Sequence, residues 1–295
     1  MSKKLLFIIN PRAGKTKSST PLLAAADCFT RSGYQLQLYL TEGTGHASEL
    51  VRQYGGDADV VVCAGGDGTL NETIAGLMTL HQPPALGYIP CGSTNDFAAS
   101  LAIPSDPAQA AQRIAQGTPR ALDLGTHNGR YFAYVASFGA FTRSSYSAPQ
   151  ASKNALGHFA YILEGLKDLN TLRPYRCRVE ADGEVFDDQF IFGGVCNSTS
   201  LAGIVKLDPN QVKMDDGKLE LLLLRMPKTP ADLQNLILSM TKMNYDDYPG
   251  VIFRHVRQVT VITEDDIPWS LDGEYAASAP HVEICSLPGA MRIIL

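Results

Sequence analysis

Three short stretches combine residue types and spacings that can hold a phosphate. Gly65-Gly66-Asp67-Gly68-Thr69 follows an apolar, β-branched run at 60–64 and precedes Leu70, Ile74, Leu77 and Met78 at helical spacing. Such a junction puts unpaired backbone N–H groups and the positive end of a helix dipole at one point, which suits an anion. A tight turn alone explains one or two glycines, not three flanking an acid. Gly92-Ser93-Thr94-Asn95-Asp96 repeats the plan after the next apolar run, so the two loops read as one shared phosphate site. Asn10-Pro11-Arg12-Ala13-Gly14-Lys15-Thr16 ends like a Walker A loop, but Ile9 stands where the first glycine is required. What remains is a polar loop whose Asn10 and Lys15 can face an anion.

Two weaker signals accompany these. Thr41 and Glu42 open a stretch in which Gly43 and Gly45 resemble a dinucleotide fingerprint, without its later glycine or its acid. Asp-Gly-Glu occurs twice, as Asp182-Gly183-Glu184 and Asp272-Gly273-Glu274. Both read as hairpin turns, and pattern alone leaves them alike.

The elements that must position these loops change character along the chain. Up to about residue 125, apolar runs at 4–9, 35–40, 59–64 and 85–89 alternate with helical patterns at 21–32, 45–54, 69–80, 93–101 and 107–116. Crossovers of that length predict a mainly parallel sheet, which binds ligands beyond the carboxyl ends of its strands. Beyond it, alternating stretches at 131–138, 175–181, 185–196, 218–224, 256–262 and 281–285 predict an antiparallel β-sandwich, with one helix at 230–242. The expected fold is thus α/β at 1–125 followed by all-β at 126–285, with 286–295 returning to the first domain.

Composition narrows the partners. The net charge of −5 over 295 residues argues against nucleic acid. Lys3, Lys4, Arg12, Lys15 and Lys17 nevertheless precede the first acid, Asp27, and make a candidate contact for an anionic bilayer. Six scattered cysteines without a C-x-x-C suit a reducing cytosol. The apolar stretch after Lys4 ends at Asn10-Pro11, too short for a signal peptide, and no run approaches the roughly 18 residues of a spanning helix. Trp269 and the apolar 131–141 read as core before they read as lipid contacts.

Taken together, the loop at 65–69 with Asn71-Glu72 behind it, Asn10-Pro11 with Gly14, Thr41-Glu42 with Gly45-His46-Ala47, Gly92 to Asp96, and the late Asp272-Gly273-Glu274 resemble the diacylglycerol kinase catalytic family. The match spans nearly the whole chain in order and is nearest to the soluble bacterial lipid kinases. The resemblance implies an α/β nucleotide domain, a β-sandwich carrying the lipid cleft, and an active site between them. It implies ATP and Mg²⁺, a lipid alcohol such as diacylglycerol as acceptor, a cytoplasmic enzyme that touches the inner membrane face transiently, and room for a homodimer. By the same resemblance Asp67 orients metal and phosphates, backbone at Gly65, Gly66, Gly68 and Thr69 holds the phosphates, and Asn10, Thr41, Gly92, Ser93, Thr94 and Asn95 shape the nucleotide pocket. Asp96 joins that network. Asp272 becomes the general base for the lipid hydroxyl, with Glu274 nearby, and Asp182 is left as a turn. Asp216, with carbonyls of Lys213 and Lys218, matches the segment where bacterial members hold a structural Mg²⁺. The competing readings are a kinase for another lipid alcohol and a non-catalytic nucleotide- or lipid-binding regulator. An NAD kinase fits less well, because "NETIAG" replaces the expected Asn-Gly-Glu.

Overall fold

The computed structural model describes residues 2–14, 20–139, 172–201, 205–245 and 247–295. The chain forms two compact units, Met1–Leu122 with Gly289–Leu295, and Asp123–Pro288.

In the first unit β1 (Lys3–Ile9), α1 (Thr20–Arg31), β2 (Tyr34–Leu40), α2 (His46–Tyr54), β3 (Val60–Gly65), α3 (Asp67–Leu77) and β4 (Ala85–Pro90) alternate, followed by α4 (Asp96–Ser100) and α5 (Pro107–Gln116). The strands lie in the order β4-β3-β1-β2, all parallel. β3 and β4 are buried along their whole length and β1 over its last five residues, which is why each reads as an unbroken apolar run. β2 carries half-exposed side chains, as an edge strand can. Register sets Ile9 beside Ala64 and Gly65 beside Pro90, so the loops after β1, β3 and β4 leave the sheet at one level.

β5 (Pro119–His127) leads into the second unit, where β6 (Arg130–Phe132), β7 (Val135–Gly139), β8 (Tyr175–Ala181) and β9 (Glu184–Cys196) are joined by the short β10 (Ser200–Leu201) and β11 (Val205–Lys206). β12 (Leu219–Arg225), α6 (Pro230–Lys242), β13 (Val251–Val256), β14 (Gln258–Ile262), β15 (Trp269–Leu271), β16 (Glu274–Ala276) and β17 (His281–Ile294) complete it. The long β9 divides its partners: residues 184–190 pair with β8, and residues 192–196 lie between β7 and β12. One strand thereby serves two antiparallel layers, with Phe138, Phe190, Val195, Leu221, Leu223, Val259 and Trp269 packed in the core. Trp269 meets Phe138 edge-on at 4.9 Å, a core residue as expected. α6 keeps its expected bounds because Thr229 and Asp232 form a reciprocal capping box in front of Pro230.

Four expectations need correction. The strand expected at 131–138 is broken between Phe132 and Val135, because the amides of Ala133, Tyr134 and Val135 are taken by a side chain, that of Asp272. The strand expected at 256–262 belongs to two elements, β13 and β14, that pair with different neighbours. The helix expected at 93–101 is only the five residues of α4, since Asn95 adopts a left-handed φ of 54° in front of it. β5 went unanticipated. The strand expected at 281–285 continues to Ile294, where Ile293 pairs with Leu86 in the first unit.

Candidate functional site

Within the first unit, three loops are bound to one another. At the end of β1, the Asn10 amide donates to Ala64 O and its Nδ2 donates to Thr69 Oγ1 at 2.9 Å. Asn10 Oδ1 accepts from the Arg12 amide, which turns the loop toward Gly14. Thr41, after β2, is buried and donates its amide to Ile9 O. The loops after β3 and β4 meet backbone to backbone. A Cβ on Gly92 would lie 2.6 Å from Gly66 Cα, and one on Gly65 would lie 2.5 Å from the Thr69 side chain. Cys91 donates its amide to Gly65 O, while Asn95 Oδ1 accepts from Gly92 N and Asn95 Nδ2 donates to Gly92 O. A Cβ on Gly14 would rest 3.4 Å from Ser93 Oγ. Asn10, Gly14, Gly65, Gly66, Thr69, Gly92, Ser93 and Asn95 therefore belong to one constellation.

Asp67 opens α3 behind the N-cap Gly66, whose lack of a side chain leaves the first amides of the helix uncapped from its own side. The Tyr88 hydroxyl donates toward Gly65 O and Asn95 Oδ1, both at 3.3 Å. Burial first, then the charge of Asp67, with Asp96 also contributing, pushes that hydroxyl well above its ordinary pKa. The charges of both carboxylates thus reach one buried phenol. Asp96 is itself buried at the start of α4. Lys15, Thr16 and Lys17 lie outside the described residues.

Glu72, one helical turn beyond the glycine loop, explains why that loop and the stretch at 41–48 occur together. Its Oε1 accepts from Gly45 N at 2.7 Å and its Oε2 from Ala47 N, so it caps α2 from α3. Gly45, at φ 83°, is the N-cap of α2 and has no side chain to do so. Neither Glu72 in this role nor Tyr88 was singled out by pattern. Tyr88 gave no signal, whereas Glu72 stood inside the motif.

In the second unit the Asp-Gly-Glu hairpin between β15 and β16 holds Asp272 at φ 49° with only 3% of its surface exposed. Its Oδ2 accepts from Ala133 N at 2.6 Å, and its Oδ1 from Tyr134 N and Val135 N at 3.0 Å. Glu274 pairs with Arg130 at 2.6 Å on the surface of the same hairpin.

The loop before β12 sits on a buried polar layer. Asp123 Oδ2 accepts from Gly217 N at 2.6 Å, and Asn197 Nδ2 donates to Asp123 O and Met214 O. Asp216 is exposed and accepts from Lys218 N in a local turn. Glu220 lies beneath, fully buried, with its carboxyl raised to about 8 by burial and then by the charge of Asp216. Among the described residues no three His, Cys, Asp or Glu side chains converge as metal ligands. A cation held here would therefore lean on carbonyls and water, as Mg²⁺ readily does.

A parallel α/β unit with glycine loops at its strand ends, and an antiparallel β-sandwich after it, is the architecture of a two-part kinase. Residues 4–127 match the diacylglycerol kinase catalytic domain, and residues 135–295 match the YegS C-terminal NAD kinase beta sandwich-like domain. The chain is 33% identical to a Staphylococcus aureus diacylglycerol kinase over 281 residues, 95% of this chain and 89% of the relative. A candidate diacylglycerol kinase from Bacillus anthracis superposes with a TM-score of 0.83 at 26% identity, covering 99% of this chain and 95% of the other. A second structure from the same organism gives a TM-score of 0.82 at 25% identity, covering 99% and 97%. The chain belongs to the diacylglycerol kinase family, a family of lipid kinases and hence phosphotransferases. Membership implies ATP as the phosphoryl donor. No described helix is long and apolar enough to cross a membrane.

Proposed function

We propose that this chain transfers the γ-phosphoryl of ATP to the hydroxyl of diacylglycerol. The observation that carries the reading is the mutual hydrogen bonding of the loops after β1, β3 and β4. Gly92 approaches Gly66 too closely for a side chain of its own, and a side chain on Gly66 would crowd Gly92 at 3.3 Å, leaving a backbone cradle of the kind that phosphates require.

When bound, ATP supplies the phosphoryl group and Mg²⁺ neutralises charge on it. The first amides of α3, from Asp67 to Thr69, bind phosphate oxygens. Asn10 fixes Thr69 through its side-chain amide and so fixes that turn. Gly92 to Asn95 form the second wall, with Ser93, Thr94 and Thr41 offering hydroxyls to the nucleotide. Lys15 supplies positive charge for the phosphates. Asp67 and Asp96 are the carboxylates available to orient the metal. In the second unit, Asp216 with the carbonyls of Lys213 and Lys218 holds a structural Mg²⁺.

Asp272 serves as the general base. Three backbone amides donate to its carboxylate. Those amides lock its position, so it accepts the lipid hydroxyl proton without having to reorganise. Glu274, held by Arg130, keeps the hairpin in place.

The test is transfer from γ-labelled ATP with Mg²⁺ to diacylglycerol, monoacylglycerol, sphingosine, ceramide and phosphatidylglycerol. Label in diacylglycerol, lost in Asp67→Asn, supports the reading. Label in another lipid alone would reassign the acceptor. Nucleotide binding with no transfer to any lipid would make the protein a regulator.

A further inference from the structure

Among the described residues no well-formed hydrogen bond reaches three buried oxygens of the second unit, both carboxylate oxygens of Glu220 and Oδ1 of Asn197, although the Lys213 and Glu220 amides lie close enough to the carboxylate to lower its pKa. Both residues are wholly shielded from solvent. Leaving a carboxylate in that condition is among the costliest arrangements a fold can carry. The Asn197 amide cannot be reversed to relieve it, because its Nδ2 already donates to Asp123 O at 2.7 Å and to Met214 O.

Both residues bear on the loop at 213–217, Asn197 by its hydrogen bond to Met214 O and Glu220 through the charge of Asp216 and the Lys213 amide. Glu220 on β12 stands directly opposite Cys196 on β9, the residue before Asn197. Glu220 is close enough to Asp216, Asp123 and the Lys213 amide to interact electrostatically with all three. Asp123 and Asn197 in turn fasten Met214 and Gly217. The loop at 213–217 is therefore fastened by Asp123 and Asn197 and lies within the electrostatic reach of the Glu220 carboxylate. His255 faces the carboxylate from β13, but its Nδ1 stands 3.7 Å from Glu220 Oε1, beyond hydrogen-bond reach.

We propose that Glu220 and Asn197 form the buried floor of the divalent-cation locus beneath residues 213–218, holding the cation's water shell from inside while Asp216 meets it from the solvent side. Glu220 is a positioning residue here, one layer behind the ligands, where carboxylates orient bound water and add charge. The inference rests on the reading that Asp216 with the Lys213 and Lys218 carbonyls holds Mg²⁺.

Nucleotide-free full-length protein is melted across a Mg²⁺ titration from an EDTA baseline, for wild type, Asp216→Asn and Glu220→Gln. The expected result is a saturable rise in Tm for wild type and none for Asp216→Asn. Glu220→Gln keeps or raises the EDTA baseline and needs about tenfold more Mg²⁺ or beyond for half the rise. Wild-type half-saturation in Glu220→Gln, with Asp216→Asn silent, would overturn the floor and leave the Asp216 reading standing. No Mg²⁺ response in wild type would overturn both. A lowered EDTA baseline in Glu220→Gln would assign the carboxylate to His255 and also overturn the floor. Should Glu220→Gln not fold, Mn²⁺ titrated into ¹⁵N-labelled wild type decides. Amides of Asn197, Lys213 and Glu220 are expected to broaden first, and broadening that spares them would overturn the proposal.

Discussion

Asp272 and Asp182 occupy the same position in two Asp-Gly-Glu hairpins, at φ 49° and 45°, and each carboxylate accepts from amides at the junction between two strands. The two differ in surroundings. Asp272 is buried and takes three amides, whereas Asp182 is exposed and, among the described residues, takes two, Arg257 N and Gln258 N. Asparagine tolerates the left-handed backbone of either turn, so Asp→Asn changes the carboxylate alone. In Asp272→Asn an NH₂ group must face a buried amide, a loss of about 1–3 kcal/mol of stability. In Asp182→Asn solvent compensates, and the loss stays below about 1 kcal/mol. If Asp272 is the base, turnover falls about 10²–10⁴-fold at unchanged KM for ATP, well beyond the loss of folded protein. Denaturant melts beside steady-state kinetics separate the two effects. Turnover that merely tracks the folded fraction would leave Asp272 a structural clamp. Asp182→Asn retains wild-type turnover.

Gly92 tests the phosphate cradle. A methyl group there meets Gly66 Cα at 2.6 Å and Asn95 Oδ1 at 2.8 Å, one of them backbone that cannot swing aside. Gly92→Ala must push the loops after β3 and β4 apart, at about 1–3 kcal/mol. Calorimetric titration with ATP should show the affinity weakened more than tenfold, by roughly 1.4 kcal/mol or more. Gly129→Ala is the control for a generic glycine effect. It lies in a hairpin at φ 80° with nothing within 4 Å of its Cβ position, and it should lose stability without losing ATP. Equal ATP affinity in Gly92→Ala and wild type would count against the cradle.

What could be seen in the sequence was what adjacent residues decide. β3 and the 65–69 loop declare themselves because a doubly buried strand must be apolar and a strand-to-helix turn at close quarters must be glycine. The break between β6 and β7 was hidden, since it is imposed by Asp272 from some 138 residues away. The two Asp-Gly-Glu turns looked alike because burial, which separates them, is supplied by distant strands. Glu220 was overlooked for a related reason. Alternation along "KLELLLLR" suggests a solvent-facing acid, but β12 lies between β9 and β13 with both faces covered.

Glu72 couples α2 to α3 and should do so without touching nucleotide. Its carboxylate supplies the cap that Gly45 cannot, through Gly45 N at 2.7 Å and Ala47 N. Glu72→Ala removes that cap and should cost about 0.5–2 kcal/mol. Glu72→Gln keeps one acceptor and should lose roughly half of it. Hydrogen exchange should quicken first at Gly45 and Ala47. Unchanged protection there would show that the cap contributes nothing to the loop.

His127 makes the stability of the second unit depend on acid. The ring is buried edge-on to Trp269 at 4.8 Å, and its Nε2 finds no partner among the described residues. Burial, with a smaller push from Arg130, holds its pKa down at about 4 against an ordinary 6.5. Above pH 6.5 the ring is neutral folded or unfolded, and it contributes no pH dependence. As pH falls from 6.5 toward 4, the unfolded chain takes up a proton that the folded chain refuses, so stability is lost through that window and levels off below it. At 1.36 kcal/mol per unit the full loss is about 3 kcal/mol. His127→Phe keeps the ring contact with Trp269 and removes the titrating nitrogen. Urea melts at pH 7.5, 6, 5 and 4 should give curves that diverge below pH 6.5, with the variant losing about 3 kcal/mol less. Parallel curves would mean that the imidazole gains its proton in the folded state near its ordinary pKa, from a donor-accepting neighbour that the burial of Nε2 argues against.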